Sequence, residues 1–273
     1  MVTIPALLIE PDTLNLALKK EHNILLIDLC KDSVYQQAHI PGAVHVEPGS
    51  LISGQQPSPG KLPTVEALSD LFSSIGLTDD SHVIAYDDEG GGWAGRLIWT
   101  LDMIGHKHYS YLNGGIHAWL AETLPTESSP VSKAPSNFKA TVKEDASVTK
   151  EYIQSKIGQP GFTIWDARSP EEFKGTQIFA KRAGHIPGAI NFEWTQGMDQ
   201  NQQLKIKNTS ELIQTLSKLG IHGDDEIITH CQTHHRSGFT YLLGKILGFK
   251  NIKAYPGSWS EWGNDANTPI EKD

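Results

Sequence analysis

Two tandem α/β domains, each with a mostly parallel sheet flanked by helices, are what this sequence predicts, and three observations predict them. At 273 residues the chain can supply two ordinary domains with a core apiece. It also repeats itself: residues 25–46 return as residues 163–192, and residues 83–119 return as residues 226–262. A period this long marks a duplicated domain rather than a solenoid, whose repeats are much shorter. Finally, short β-branched or apolar runs alternate with helical patterns in both copies, the signature of βα units on parallel strands.

In chain order, the first copy opens on a strand at 24–27 that ends at Asp28. Its H-I-P-G-A motif at His39 to Ala43 leads into a strand at 43–46. Apolar residues three and four apart predict a helix over Val65–Ser74, followed by strands at 83–86 and 109–112. The stretch 125–147, rich in Pro, Ser, Thr, Lys and Glu with little apolar periodicity, reads as a surface linker. The domains are therefore expected at 1–124 and 148–273. The second copy predicts strands at 162–165, 189–192, 227–230 and 252–255 and a helix over 210–219. Its Asp166 is 19 positions before the second H-I-P-G-A, against 11 in the first copy, so it carries eight extra residues there.

The most informative stretch is THCQTHHRSGFTYLLGKILGF, residues 229–249. A strand ends at His230-Cys231, a short polar loop follows, and an amphipathic helix begins near Arg236. A cysteine delivered to a helix N-terminus meets loop N–H groups and the positive end of the dipole, which favours a thiolate. Arg236, His234 and His235 add positive potential. Cysteine-dependent tyrosine phosphatases place five residues between Cys and Arg to cradle a phosphate; here only Gln232, Thr233, His234 and His235 intervene. The tighter ring suits a single sulfur or a small anion. A metal site of His230, Cys231, His234 and His235 lacks a second ligand cluster at zinc spacing, so no metal is expected. Cys30 lies in an apolar run, where a buried structural thiol is the ordinary outcome.

In the first copy Asp87 falls opposite Cys231, followed by the acidic, glycine-rich Asp88 to Gly92. An aspartate cannot accept sulfur reversibly, so the first domain is expected to be non-catalytic. Asp166 with Arg168 reads as a structural pair at a strand end. His39 and His185 precede Ile-Pro-Gly turns in both copies, which also points to structure. Trp194 is a candidate pocket wall, whereas Trp259 and Trp262 match the Trp119 region and read as packing.

The net charge of −9 and the absence of a basic block argue against nucleic acid or an anionic membrane as partner. Two cysteines do not make a disulfide framework and fit a reducing, cytoplasmic setting. The N-terminal stretch lacks a charged region followed by a long apolar one, and no run of about 18 apolar residues occurs.

Cys231 at a strand–helix loop, H-I-P-G-A and the duplication together resemble the tandem-domain rhodaneses, the thiosulfate and 3-mercaptopyruvate sulfurtransferases. The likeness covers nearly the whole chain and is strongest to a bacterial type with a CQTHHRSG loop. It implies a double displacement through a Cys231 persulfide, with no other cofactor, in which thiosulfate gives sulfur to cyanide or a thiol. Cys231 is then catalytic, and Arg236, Gln232, Thr233, His234, His235, Arg182 and Trp194 are the expected substrate-binding residues. A monomer is expected. In such enzymes a basic loop goes with thiosulfate, while mercaptopyruvate enzymes carry a carboxylate-binding arginine where Ser169 to Phe173 stands here. Glu171 and Glu172 are therefore expected to repel that carboxylate, Glu172→Arg to favour it, and Arg182 to be the one substitute. Two other readings stay open: a cysteine-dependent phosphatase or arsenate reductase, and a sulfur carrier holding a persulfide for a protein acceptor.

Overall fold

The computed structural model describes residues 6–20 and 23–272; the first five residues of the stretch read above for a targeting signal lie outside them. Two compact units form. The first comprises Met1–Leu51, Pro63–Lys143 and Met198–Ile206, the second Ile52–Leu62, Glu144–Gly197 and Lys207–Asp273. The main division falls between Lys143 and Glu144, but each unit also includes a short segment from the other half of the sequence.

The first unit holds a five-stranded sheet in the order Leu8–Ile9, Tyr109–Leu112, His82–Tyr86, Ile24–Asp28, Val44–His45, every pairing parallel. Near-continuous apolar strands such as Ile24–Asp28 are what a sheet covered on both faces requires. Ile9, Leu14, Leu26, Ile84, Tyr86, Leu112 and Trp119 form its core. Residues 125–143 are pinned along this unit. His39 and Glu127 exchange backbone hydrogen bonds at 2.9 Å, Val131 N–H donates to the Tyr35 hydroxyl at 3.0 Å, and Ala140 N–H donates to Ser69 Oγ at 3.0 Å. A segment without periodicity is thus ordered by satisfying its backbone groups one at a time.

The second unit holds a four-stranded parallel sheet in the order Asn251–Ala254, Glu226–His230, Phe162–Asp166, Ile190–Asn191. Ile153, Ile164, Ile186, Ile228, Trp259 and Trp262 form its core. The expected strands all appear, each end within one residue of its expected place, and the expected helices occupy Val65–Ser74 and Thr209–Leu219. The duplication extends to detail. Trp119 donates its indole N–H to Pro125 O at 2.8 Å, and Trp262 donates to Pro269 O at 2.7 Å. His39 stacks on Tyr35 and His185 on Phe173, so both histidines lock the turns they precede. Among the described residues no helix is long and apolar enough to cross a membrane.

Candidate active site

Cys231 follows directly on the strand Glu226–His230, and the helix Arg236–Ile246 starts five residues later. The loop between is clamped from one side by the short helix Ser258–Trp262. Cys231 O accepts Trp259 N–H at 2.9 Å, Gln232 O accepts Ser260 N–H at 3.0 Å, and Cys231 N–H reaches Ser258 Oγ at 3.4 Å. Behind it lies a buried ion pair. The Arg168 guanidinium donates to both Asp166 carboxylate oxygens, to Gly184 O, and lies 4.4 Å from the Trp259 ring centroid. Burial alone would push Asp166 up, but Arg168 and then His230 outweigh it and hold the carboxyl at about 2. Asp166, Arg168 and Trp259 are the floor on which the loop rests.

The Cys231 thiol is buried, which by itself disfavours a thiolate. Arg236 outweighs that, helped by the Ser237 hydroxyl and by the backbone N–H groups of Ser237 and Thr233, so the thiol sits below its usual range. Cys30 is the opposite case: burial, then Asp28, push its thiol far up, as expected of a structural cysteine. Both are free cysteines. Among the described residues no group of three or more His, Cys, Asp and Glu side chains is placed to hold a metal.

The expected binding residues fare unequally. Arg236 stands beside the sulfur, yet its guanidinium is engaged: Nη1 and Nη2 each donate to a carboxylate oxygen of Glu172, the second at 2.8 Å. Glu172 is therefore not a free charge facing substrate. It is buried, caps the helix Pro170–Lys174 by a reciprocal Ser169 capping box, and neutralises Arg236. Paired in this way, Glu172 does not present the free charge expected to repel a mercaptopyruvate carboxylate, and Glu172→Arg would break the pair rather than favour that donor. Arg182 also differs from expectation: its guanidinium is occupied by the carbonyls of Trp262, Asp265 and Thr268 and the Thr268 hydroxyl, so it braces residues 262–268 rather than standing open to a carboxylate. His234, expected at the anion, is fully buried with Nδ1 on Ser237 Oγ at 2.7 Å. His235 is half-buried with its ring edge-on to Trp194 at 5.7 Å, and Trp194 also meets Phe239. Gln232 spends its amide on Phe179 O at 3.1 Å, within the eight-residue insertion.

Two roles escaped the sequence reading. Ser237 donates its hydroxyl to Cys231 Sγ at 3.4 Å; its place on the first turn of the helix, on the side the cysteine approaches, was the available signal. Glu172 was readable from S-P-E-E as a capping residue but not as the partner of an arginine 64 positions away. A third carboxyl, Glu193, is pushed up by burial in the same neighbourhood, against the pull of Arg236.

In the first unit Asp87 occupies the matching place. It is buried and accepts backbone N–H groups of Glu89, Gly91 and Ala94 at 3.2, 2.8 and 3.0 Å. The N–H cradle that could hold a substrate anion is filled by the chain's own carboxylate.

The family model of the rhodanese-like domain matches residues 10–122 and 149–265. A thiosulfate sulfurtransferase of Pseudomonas aeruginosa is 49% identical over 248 residues, 91% of each chain. One of Azotobacter vinelandii is 45% identical over 265 residues, 97% of each. The sulfur carrier protein TtuD of Thermus thermophilus is 30% identical over 254 residues, 88% of this chain and 87% of that one. Among solved structures, the anaerobic ergothioneine biosynthesis enzyme of Chlorobium limicola, in complex with trimethyl histidine, superposes with a TM-score of 0.88. At 20% identity over 97% of this chain and 70% of that one, it shares the fold.

Proposed function

The chain belongs to the rhodanese family, with two rhodanese-like domains in tandem, and on that premise we propose how its second domain moves sulfur. The protein is a sulfurtransferase acting on thiosulfate, the activity of its relatives at 45% and 49% identity. The Cys231 thiolate attacks the outer sulfur of thiosulfate. A Cys–S–S bond forms, the sulfur–sulfur bond of the donor breaks, and sulfite leaves with the electron pair. Cyanide or a thiolate then takes the outer sulfur, releasing thiocyanate or a persulfide and restoring the Cys231 thiolate. No cofactor is needed beyond the covalent persulfide. The observation that carries this reading is the lowered Cys231 thiol, held by Arg236, the Ser237 hydroxyl and two backbone N–H groups against its own burial. Those groups serve the persulfide anion equally. Preference for thiosulfate over 3-mercaptopyruvate rests on the basic loop from Gln232 to Arg236 and on the relatives.

A protein sulfur acceptor is a second reading, favoured by the insertion. Ile178 and Phe179 are more than half exposed there, and the Phe179 carbonyl is bonded to Gln232, next to Cys231. The likeness to a sulfur carrier points the same way. A cytoplasmic monomer belongs to the same proposal, resting on two free cysteines and a sulfur-transfer site built within one chain.

Intact mass after thiosulfate tests the whole. One added sulfur, absent in Cys231→Ser, present in Cys30→Ser, and removed by cyanide or a protein thiol, is expected. Normal thiocyanate production by Cys231→Ser would sink the assignment.

A further inference from the structure

We propose that His234 is a positioning residue for sulfur transfer: acting through Ser237, it fixes the direction of the hydrogen bond that Cys231 receives. The proposal rests on Cys231 being the nucleophile. The three side chains form a buried chain, His234 Nδ1 to Ser237 Oγ at 2.7 Å and Ser237 Oγ to Cys231 Sγ at 3.4 Å. A hydroxyl has one proton. When Ser237 gives it to the sulfur, its oxygen can only accept from the ring, so His234 must carry its proton on Nδ1. In the reverse orientation Ser237 would donate to the ring and turn its lone pairs toward an anionic sulfur. The imidazole therefore decides whether a thiolate or persulfide faces a donor or a repulsive oxygen.

The duplicated domain supplies an independent reason why histidine stands here. With the strands His82–Tyr86 and Glu226–His230 superposed, Gly90 matches His234 and Trp93 matches Ser237. Gly90 has φ +88° and His234 has φ +58°, so the loop requires a left-handed residue at this point in both copies. The copy whose anion is an internal aspartate meets that need with glycine, the residue it costs least. The copy with the cysteine instead places a bulky ring in a conformation L-residues avoid, and three residues later supplies the hydroxyl that the ring orients. Loss of one such hydrogen bond to an anionic centre acts on the chemical step more than on donor binding.

Thiosulfate–cyanide kinetics on five variants test this. His234→Leu and Ser237→Ala are each expected to lower kcat about 10- to 100-fold with KM within about threefold, the range for a hydrogen bond to a charged group. The double variant should be no worse than either single one, because the two residues act on sulfur through one bond. His234→Asn should recover kcat to within about threefold: its amide N–H can take the place of Nδ1–H, and asparagine accepts the left-handed backbone. Wild-type kcat in His234→Leu, or losses that multiply in the double variant, would overturn the proposal. Should His234→Leu fail to fold, an unimpaired Ser237→Ala or an unrescued His234→Asn overturns it alone. Activity in Cys231→Ser would instead remove the nucleophile beneath it, a separate result.

Discussion

Glu172 decides how much of Arg236's charge reaches the sulfur. Two buried or half-buried charges bonded through both terminal guanidinium nitrogens make a pair whose removal from one side leaves the other stranded. Burial would raise the Glu172 carboxyl, and Arg236 outweighs it to hold it low. Arg236→Ala should therefore do two things: slow turnover about 10- to 1,000-fold, as for loss of one stabiliser of an anionic transition state, and destabilise the fold. Adding Glu172→Ala should restore part of the stability but none of the rate. Thermal unfolding beside steady-state kinetics reads both, and full activity in Arg236→Ala would leave the loop N–H groups and the Ser237 hydroxyl to hold the anion. Sequence made Cys231 and Arg236 legible because a strand, a loop and a helix start are local. It could not make legible where each polar head points. Arg182 and Glu172 are engaged by partners that only the fold brings near, and a charged side chain read as free turned out to be paired.

The two equivalent loops carry the contrast at the level of the element. In the first, burial raises Asp87, the N–H groups of Ala94, Gly91 and Glu89 counter it, and the carboxyl settles at about 6. A carboxyl raised from 3.8 in the folded state favours folding in its protonated form. Its contribution is full below about pH 3.8 and is lost as the pH climbs through about 6, a change on the order of 3 kcal/mol. Urea midpoints should therefore show a decline between pH 4 and 6 that flattens in Asp87→Asn; an unchanged slope in the variant would refute the assignment. The main strands were legible because covered parallel strands are apolar throughout. The strand Leu8–Ile9 and the antiparallel pair Met198–Asp199 with Lys205–Ile206 were not, because two residues show no period.

On the scale of the molecule, the duplication was plain in the sequence, but the composition of each unit was not, since no local signal marks a segment that folds with distant residues. Ile52–Leu62 belongs with the unit that holds Cys231. Lys61 bonds Glu261, and a Cβ at Gly60 would lie 2.0 Å from Thr233 O, so no side chain fits beside the loop that holds Cys231. Gly60→Ala should lower kcat/KM at least about tenfold by displacing that loop, with Cys231 still present; activity equal to wild type would show that the segment yields instead. The interleaving has a further consequence in time. A ribosome delivers the chain from one end, and a domain ordinarily folds as soon as its own stretch is out. Here the first unit lacks its last segment until Ile206 has been synthesised, and the second needs residues made before Pro63 to wait for it. Residues 52–62 therefore wait for partners made in the second half of synthesis, while the sheet of the first unit has all its strands once Leu112 is out.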